Sequence, residues 1–227
     1  MEISLSKYDL KQFIKDQLAF YLPDRYVFSG DDVDKALNLS LERTEYCFKF
    51  IAIDAYHNNG QTYFYHLHTD QYSQFLFFLS NSLWQLSENK ALCDKIIVLN
   101  RILNGCWFSY KALLPDIFFL DHPVGTVLGN AKYSDFLVVT QNVTVETNYD
   151  EIGNSAPYLG KGLFLSAGAK IIGNKPVGDR VSLGVDTVVF NKEIENDSIV
   201  YRDSEGKINI KKRTKRARSQ VYFNVEF

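Results

Sequence analysis

Between residues 157 and 196 an aliphatic side chain returns at every sixth position: Leu159, Leu165, Ile171, Val177, Leu183 and Val189. Turn-formers fall between these anchors, with Gly162, Gly168 and Asn174 three residues after successive ones. A period of six suits neither an α-helix nor a flat amphipathic strand. It suits a β-helix, in which each six-residue unit makes one short flat side and then a corner. Glycine and asparagine enter the positive-φ corners that β-branched residues resist. A second set of anchors six apart, Val127, Tyr133, Val139 and Val145, precedes a polar stretch over residues 146–156. That stretch interrupts the repeat without ending it, and insertions in repeat folds cluster on the functional face.

The first half has helical spacing instead. Residues 5–21 place Tyr8, Phe13, Ile14, Leu18 and Phe20 three and four apart, with Pro23 as a stop. Ser29-Gly30-Asp31-Asp32 predicts the start of a second helix running towards Cys47. Asn58-Asn59-Gly60 predicts a turn. Thr69 or Asp70 then caps a helix through Phe75, Phe78, Leu79 and Leu83, and residues 92–103 form another, closed by Asn104-Gly105. The pattern changes between residues 105 and 115. These elements predict an α+β chain: a helical N-terminal domain over 1–112, a parallel β-helix over 113–200, and a basic tail over 201–227. The tail carries Lys207, Lys211, Lys212, Arg213, Lys215, Arg216 and Arg218, and residues 221–227 alternate like a terminal strand. It reads as a solvated linker with an edge strand, or as cations that meet a phosphate.

At 227 residues the chain can bury a substantial core. A net charge of −2 gives no reason to expect nucleic acid or an anionic membrane surface as partner. Three scattered cysteines, Cys47, Cys93 and Cys106, suggest reduced thiols. The start lacks a secretion signal, and the longest apolar run, residues 75–79, is too short for a bilayer; the expectation is a cytoplasmic protein without a transmembrane segment. His66, His68 and Asp70 sit two apart, which on a strand puts them on one face. Without a further ligand at a defined spacing no metal is expected; His68 and Asp70 are candidates for binding the acceptor, against a helix-capping role for Asp70. The chain has no GxGxxG or P-loop sequence and no serine nucleophile elbow. Phe75, Phe77, Phe78 and Trp84 read as core or subunit interface.

Residues 157–174 (PYLGKGLFLSAGAKIIGN) and 176–189 (PVGDRVSLGVDTVV) resemble the last coils of serine acetyltransferases. Upstream, Leu120-Asp121-His122-Pro123-Val124-Gly125, continuing to Gly129, is similar to that family's Asp-His-x-x-Gly-x-x-x-Gly segment, and residues 141–145 to its Gln-x-Val-Thr-Leu. The resemblance covers roughly residues 118–195. It implies a left-handed β-helix, acetyl-CoA as acyl donor, and a homotrimer, with pairing into a hexamer left open. Acetyl transfer to a hydroxyl needs a base within hydrogen-bond reach and donors for the developing oxyanion. His122 is the candidate base. Its carboxylate partner is sought among Asp116, Asp70 and Glu146, with Asp116 taken as the catalytic candidate. Asp121 is assigned to the acceptor, because successive strand residues point to opposite faces; Glu146 is a candidate there too. Ala167, Gly168, Gly184, Val185 and Lys192 are the candidates for contacting the cofactor, the small ones being equally what tight coils require.

Departures bear on the acceptor. Ser155-Ala156-Pro157 stands where the family carries an Arg-His-Pro type triplet, and a guanidinium is what an amino-acid carboxylate would want. The family's Asp-x-His-Pro segment is missing around residues 107–110, and Glu146 replaces a glycine. If Leu128 rather than Val127 is the anchor, one coil side is a residue short. Residues 65–72 and 75–81 look like serine-acetyltransferase-like proteins encoded with capsule or O-antigen genes. The expectation is therefore acetylation of a sugar hydroxyl in surface-polysaccharide synthesis, with L-serine as the alternative acceptor and a non-catalytic assembly scaffold as the alternative of another class.

Overall fold

The computed structural model describes residues 1–146 and 156–227. It divides into two units: Met1–Lys49 with Ile53–Lys111, and Phe50–Ala52 with Ala112–Phe227.

The first unit is built on four helices. After a short strand β1 (Glu2–Ile3), α1 (Lys7–Tyr21) starts at Ser6, whose hydroxyl accepts from the Asp9 amide, and buries Leu10, Ile14 and Leu18. Helix α2 (Asp31–Phe48) starts at Gly30 and carries Asp31, Asp32 and Asp34 in its first turn, where carboxylates favour the helix dipole. The Asn58-Asn59-Gly60 turn joins β2 (His57–Asn58) to β3 (Gln61–Phe64), and β1 pairs with β3 in parallel. Helix α3 (Thr69–Ser87) is buried on most of its circumference, and Phe75, Phe77, Phe78 and Leu79 are fully buried. A helix of that kind belongs in a core, so these aromatics are core of the unit itself. Its buried polar groups have partners: Asn81 Nδ2 donates to the Tyr110 carbonyl (2.7 Å) and accepts from Arg43 (2.7 Å). Helix α4 (Lys90–Asn104) ends at Gly105 with φ 67°, as the Asn104-Gly105 pair predicts, and β4 (Trp107–Phe108) follows. The three cysteines are buried and none forms a disulfide among the described residues; burial pushes the Cys93 thiol up to about 12 and Cys106 up to about 11, which disfavours the thiolate of both.

The second unit is a left-handed parallel β-helix. Its first face stacks β5 (Phe118–Leu120), β8 (Leu137–Val139), β11 (Phe164–Leu165), β13 (Ser182–Leu183) and β15 (Ser198–Arg202). The second stacks β6 (Val127–Leu128), β9 (Thr144–Glu146), β12 (Lys170–Ile172) and β14 (Val188–Phe190). The third pairs β7 (Lys132–Tyr133) with β10 (Tyr158–Leu159) and continues through single bridges from Leu159 to Val177 and from Val177 to Ile194. The six-residue anchors therefore form three inward columns, one per face, each residue lying on its counterpart in the next coil. Two of the three corners carry a column of left-handed residues: Gly125, Asn142, Gly168 and Asp186 between the first and second faces, and Phe136, Gly162, Arg180 and Asp197 between the third and first.

Two expectations change. The inward anchor of the first coil is Leu128, fully buried and paired with Val145, while the half-exposed Val127 pairs with Thr144. The following side to Tyr133 is then one residue short. The tail is neither a separate domain nor a terminal strand. Ile208–Lys212 (β16) returns antiparallel on β15, and Arg218–Tyr222 forms a 3-10 turn instead of extended chain. From there the tail packs on the outer side of the first face. The Tyr222 ring meets Phe119 and Phe164, and the Phe227 ring stacks on Phe136 at 4.4 Å. Outward residues of a central face are themselves apolar here, and burying them under the tail is what folds residues 213–227 back. Several of its cations are engaged locally: Arg213 donates to Ser182 Oγ (2.7 Å) and the Arg180 carbonyl (2.9 Å), and Arg216 pairs with Glu226.

Arg180 reaches the next corner residue, Asp197, with two hydrogen bonds of 2.7 and 2.8 Å, which hold the Asp197 carboxyl below the ordinary carboxylate range. A depressed carboxylate pKa adds stability above the unfolded-state value and loses it as pH falls through the folded one. Asp197→Asn, which keeps the left-handed corner accessible, is expected to lower stability at neutral pH by about 1 kcal/mol or less, since both groups are a third or more exposed. Denaturant melts should show that gap closing below about pH 4; a gap independent of pH would mean the pair contributes nothing electrostatic.

Candidate active site

The corner between the first and second faces differs between coils. From Val139 to Val145, Leu165 to Ile171 and Leu183 to Val189 the anchors are six apart, but from Leu120 to Leu128 they are eight apart. The two additional residues let the chain bulge outward after β5. His122 sits on this bulge with φ 53° and a side chain 79% exposed. The bulge is pinned on either side. Asp121 N donates to the Val139 carbonyl (2.9 Å), Val124 N to the His122 carbonyl (2.7 Å) and Thr126 N to the Pro123 carbonyl (3.0 Å). Thr126, buried beneath it, donates through Oγ1 to the Thr140 carbonyl (2.8 Å) and accepts from Val143 N (3.2 Å). Gly125 is required by contact as well as by its φ of 73°: a Cβ there would lie 2.1 Å from Asn142 Oδ1. Gly168 faces Asp186 in the same way two coils on.

His122 leaves the strand in the left-handed region, so strand alternation does not separate it from Asp121. The Asp121 carboxylate lies 3.8 Å from His122 Nε2. That is too long for a hydrogen bond and within ion-pair range for a protonated ring. Asp121 is thus placed beside the imidazole and not on an opposite face. Asp116 is not: it is exposed at the corner between the third and first faces, with the whole of β5 between it and His122, lining an open cavity of about 490 Å³ with Asp135, Tyr158 and Lys161. Glu146 ends β9 at the corner between the second and third faces, its carboxylate over Gly129, and Lys192 follows the left-handed Asn191 at that same corner. Neither corner is the one that carries His122.

Ala167, Gly168, Gly184 and Val185 do share the corner of His122, one coil below another. Asp186 N donates to the Ala167 carbonyl (2.9 Å) and Gly168 N to the Gln141 carbonyl (3.0 Å), which sets these turns in register. Val124 and Val185 are 61% and 60% exposed along it. Val124, Thr126 and Gln141 were not singled out by spacing; the column of Gly125, Asn142 and Gly168 is the signal that marks their corner. In the first unit, His66 and His68 lie beyond the end of β3 and not on a strand, so the shared face expected for them with Asp70 does not form. His68 is the residue that precedes α3, and Asp70 is buried in the helix's first turn. Ser155 lies outside the described residues, as does most of the stretch 146–156.

A β-helix coiled in hexads, with a histidine bulged from one corner, defines a hexapeptide-repeat protein. No protein-family model matches the chain. Over 103 residues it is 32% identical to the serine acetyltransferase of Synechococcus elongatus, covering 45% of this chain and 42% of that protein. Over 111 residues it is 31% identical to the serine acetyltransferase of Staphylococcus xylosus, covering 48% and 51%. The chain spans about half the length of the curated relatives it matches. Among solved structures, a serine acetyltransferase from Vibrio cholerae superposes with a TM-score of 0.70 over 95% of this chain and 83% of that one, at 18% identity. A serine acetyltransferase in complex with CoA gives 0.66 over 88% and 83%, at 17% identity. Over about half of its length the chain is thus similar to serine acetyltransferases, and it shares the mixed helical and β-helix fold of those structures. Among the described residues no helix is long and apolar enough to cross a membrane.

Proposed function

We propose that the chain is an acetyl-CoA-dependent O-acetyltransferase, with His122 as general base and L-serine as acceptor. The observation that carries this reading is the eight-residue side of the first coil, which presents His122 to solvent beside Asp121. Acetyl-CoA supplies an acyl group already activated as a thioester. An alcohol with a pKa far above 7 must lose its proton as it attacks, and an exposed, fixed imidazole can take it. The Asp121 carboxylate stabilises the imidazolium that results. The proton is then available on His122 Nε2 for the departing thiolate, so the base ends the cycle neutral. Ala167, Gly168, Gly184 and Val185 would hold the donor along the same corner, in a homotrimer.

Serine is supported by the matched relatives, which are named serine acetyltransferases. The sugar acceptor expected from Ser155-Ala156-Pro157 and from residues 65–81 has no counterpart among them. Thiol release from acetyl-CoA, measured against L-serine, nucleotide sugars and oligosaccharides, tests the reading. L-serine is expected to stimulate release. A flat response to millimolar serine with a response to a sugar would move the acceptor, and a flat response to the whole panel would favour the non-catalytic scaffold.

A further inference from the structure

The first unit carries a cavity of about 460 Å³ that the transferase chemistry does not use. Its floor is apolar, made by the buried Phe28 and Leu37. Lys7, Lys11 and Lys15 come from α1 at intervals of four, which sets all three ammonium groups along one side of the helix. Tyr8, 76% exposed, forms part of the same rim. Lys15 and Phe28 also line an adjoining cavity of about 180 Å³, so the groove continues towards the loop of Pro23, Asp24 and Tyr26. That loop is held in place: Lys95 donates to Asp24 Oδ1 (2.6 Å) and to the Tyr26 carbonyl (2.9 Å).

The charges on this rim are unbalanced. Lys11 is paired with Asp34 at 2.5 Å. The acids of α1 itself are hydrogen-bonded within the helix and its cap, Asp9 to the Ser6 hydroxyl (2.6 Å) and Asp16 to the Gln12 amide (2.6 Å). Among the described residues Lys7 and Lys15 have no acidic partner. A lysine row on an ordinary helix face is simply solvated. Here it borders a concave apolar floor within the size range of small-molecule sites. We infer that this groove binds a small organic anion with an apolar body, its head group taken by Lys7 or Lys15, which lie about 12 Å apart along the helix, and its body by Phe28, Leu37 and the Tyr8 ring. An alkyl carboxylate and a nucleoside monophosphate both have that chemistry.

The probe is 1-anilinonaphthalene-8-sulfonate, an aromatic body with one anionic group, titrated by fluorescence into the full chain at low ionic strength. Saturable binding is expected, weakened about tenfold or more in a Lys7→Ala/Lys15→Ala double variant, which is the loss of about 1.4 kcal/mol of binding, and retained in Lys7→Arg/Lys15→Arg. Both lysines lie on the surface of α1, so the variants keep the fold, and thiol release should be unchanged in them. Displacement by octanoate assigns an acyl anion, and displacement by AMP a nucleoside phosphate. No saturable binding, binding that the double alanine variant leaves within about twofold, or a probe that neither competitor displaces overturns the inference.

Discussion

His122→Asn is expected to lower kcat for thiol release by about 10²–10⁴-fold, the range that a positioned general base supplies. Asparagine is the informative replacement. His122 has φ 53°, and asparagine enters the left-handed region with less strain than alanine, so the bulge keeps its shape. The ring is 79% exposed and supports no core, and a surface change of this sort moves stability by about 0.5 kcal/mol or less. KM for acetyl-CoA should stay within about twofold, because the loss falls on the step in which the proton moves. Asp121→Asn is expected to be milder. At 3.8 Å the Coulomb term is about 1 kcal/mol in a water-like medium and about 4 kcal/mol at a surface-like dielectric. With Asp121 one-third exposed the lower figure applies, or about a five- to tenfold loss. Steady-state assays of both variants, with thermal melts beside them, decide the matter. Activity of His122→Asn within about threefold of wild type would remove His122 as the general base.

The period of six was legible because it is imposed by geometry: each flat side must return an apolar residue to the same interior column. Leu165, Ile171, Val177, Leu183 and Val189 therefore stack as their spacing says. Where a side departs from six, the pattern carries no register. Val127 and Leu128 are both aliphatic, and only the additional residues at His122 and Pro123 make Leu128 the inward one. The same irregularity hid the relation of Asp121 to His122. Alternation applies to a strand, and β5 ends at Leu120, before either of those residues. Asp116 looked close in sequence, yet a β-helix puts residues six apart on different corners and residues a coil apart in contact. The tail misled for a related reason. Its alternating residues 221–227 suit a strand, but the aromatic surface of Phe119, Phe136 and Phe164 captures Tyr222 and Phe227 as separate ring contacts. Nothing in the spacing of Lys7, Lys11 and Lys15 reveals the floor that Phe28 and Leu37 place beneath them.

Gly160→Ala should destabilise the β-helix by about 1–3 kcal/mol, the usual cost of overpacking, whereas Gly184→Ala should leave stability within about 1 kcal/mol of wild type. The two glycines are alike in pattern, each following an inward leucine, Leu159 or Leu183. Neither has a left-handed φ, so the contrast is steric. A Cβ on Gly160 would lie 2.5 Å from the Gly178 carbonyl carbon and the Asp179 nitrogen of the next coil. Those are main-chain atoms in a ladder that cannot yield singly: Gly160 N donates to the Val177 carbonyl and Gly178 N to the Ile194 carbonyl, both at 2.8 Å. On Gly184 the nearest atom is the Val200 carbonyl oxygen at 3.2 Å, a tight contact that a shift of a few tenths of an ångström relieves. Alanine also restricts the unfolded chain, which favours the folded state by about 0.4–1 kcal/mol at both sites. That gain is comparable to the small strain at Gly184 and too small to offset the clash at Gly160. Denaturant midpoints for the two variants, read from β-sheet circular dichroism with slopes compared, measure the difference. Equal midpoints would mean that the coils separate more easily than their hydrogen-bond ladder allows.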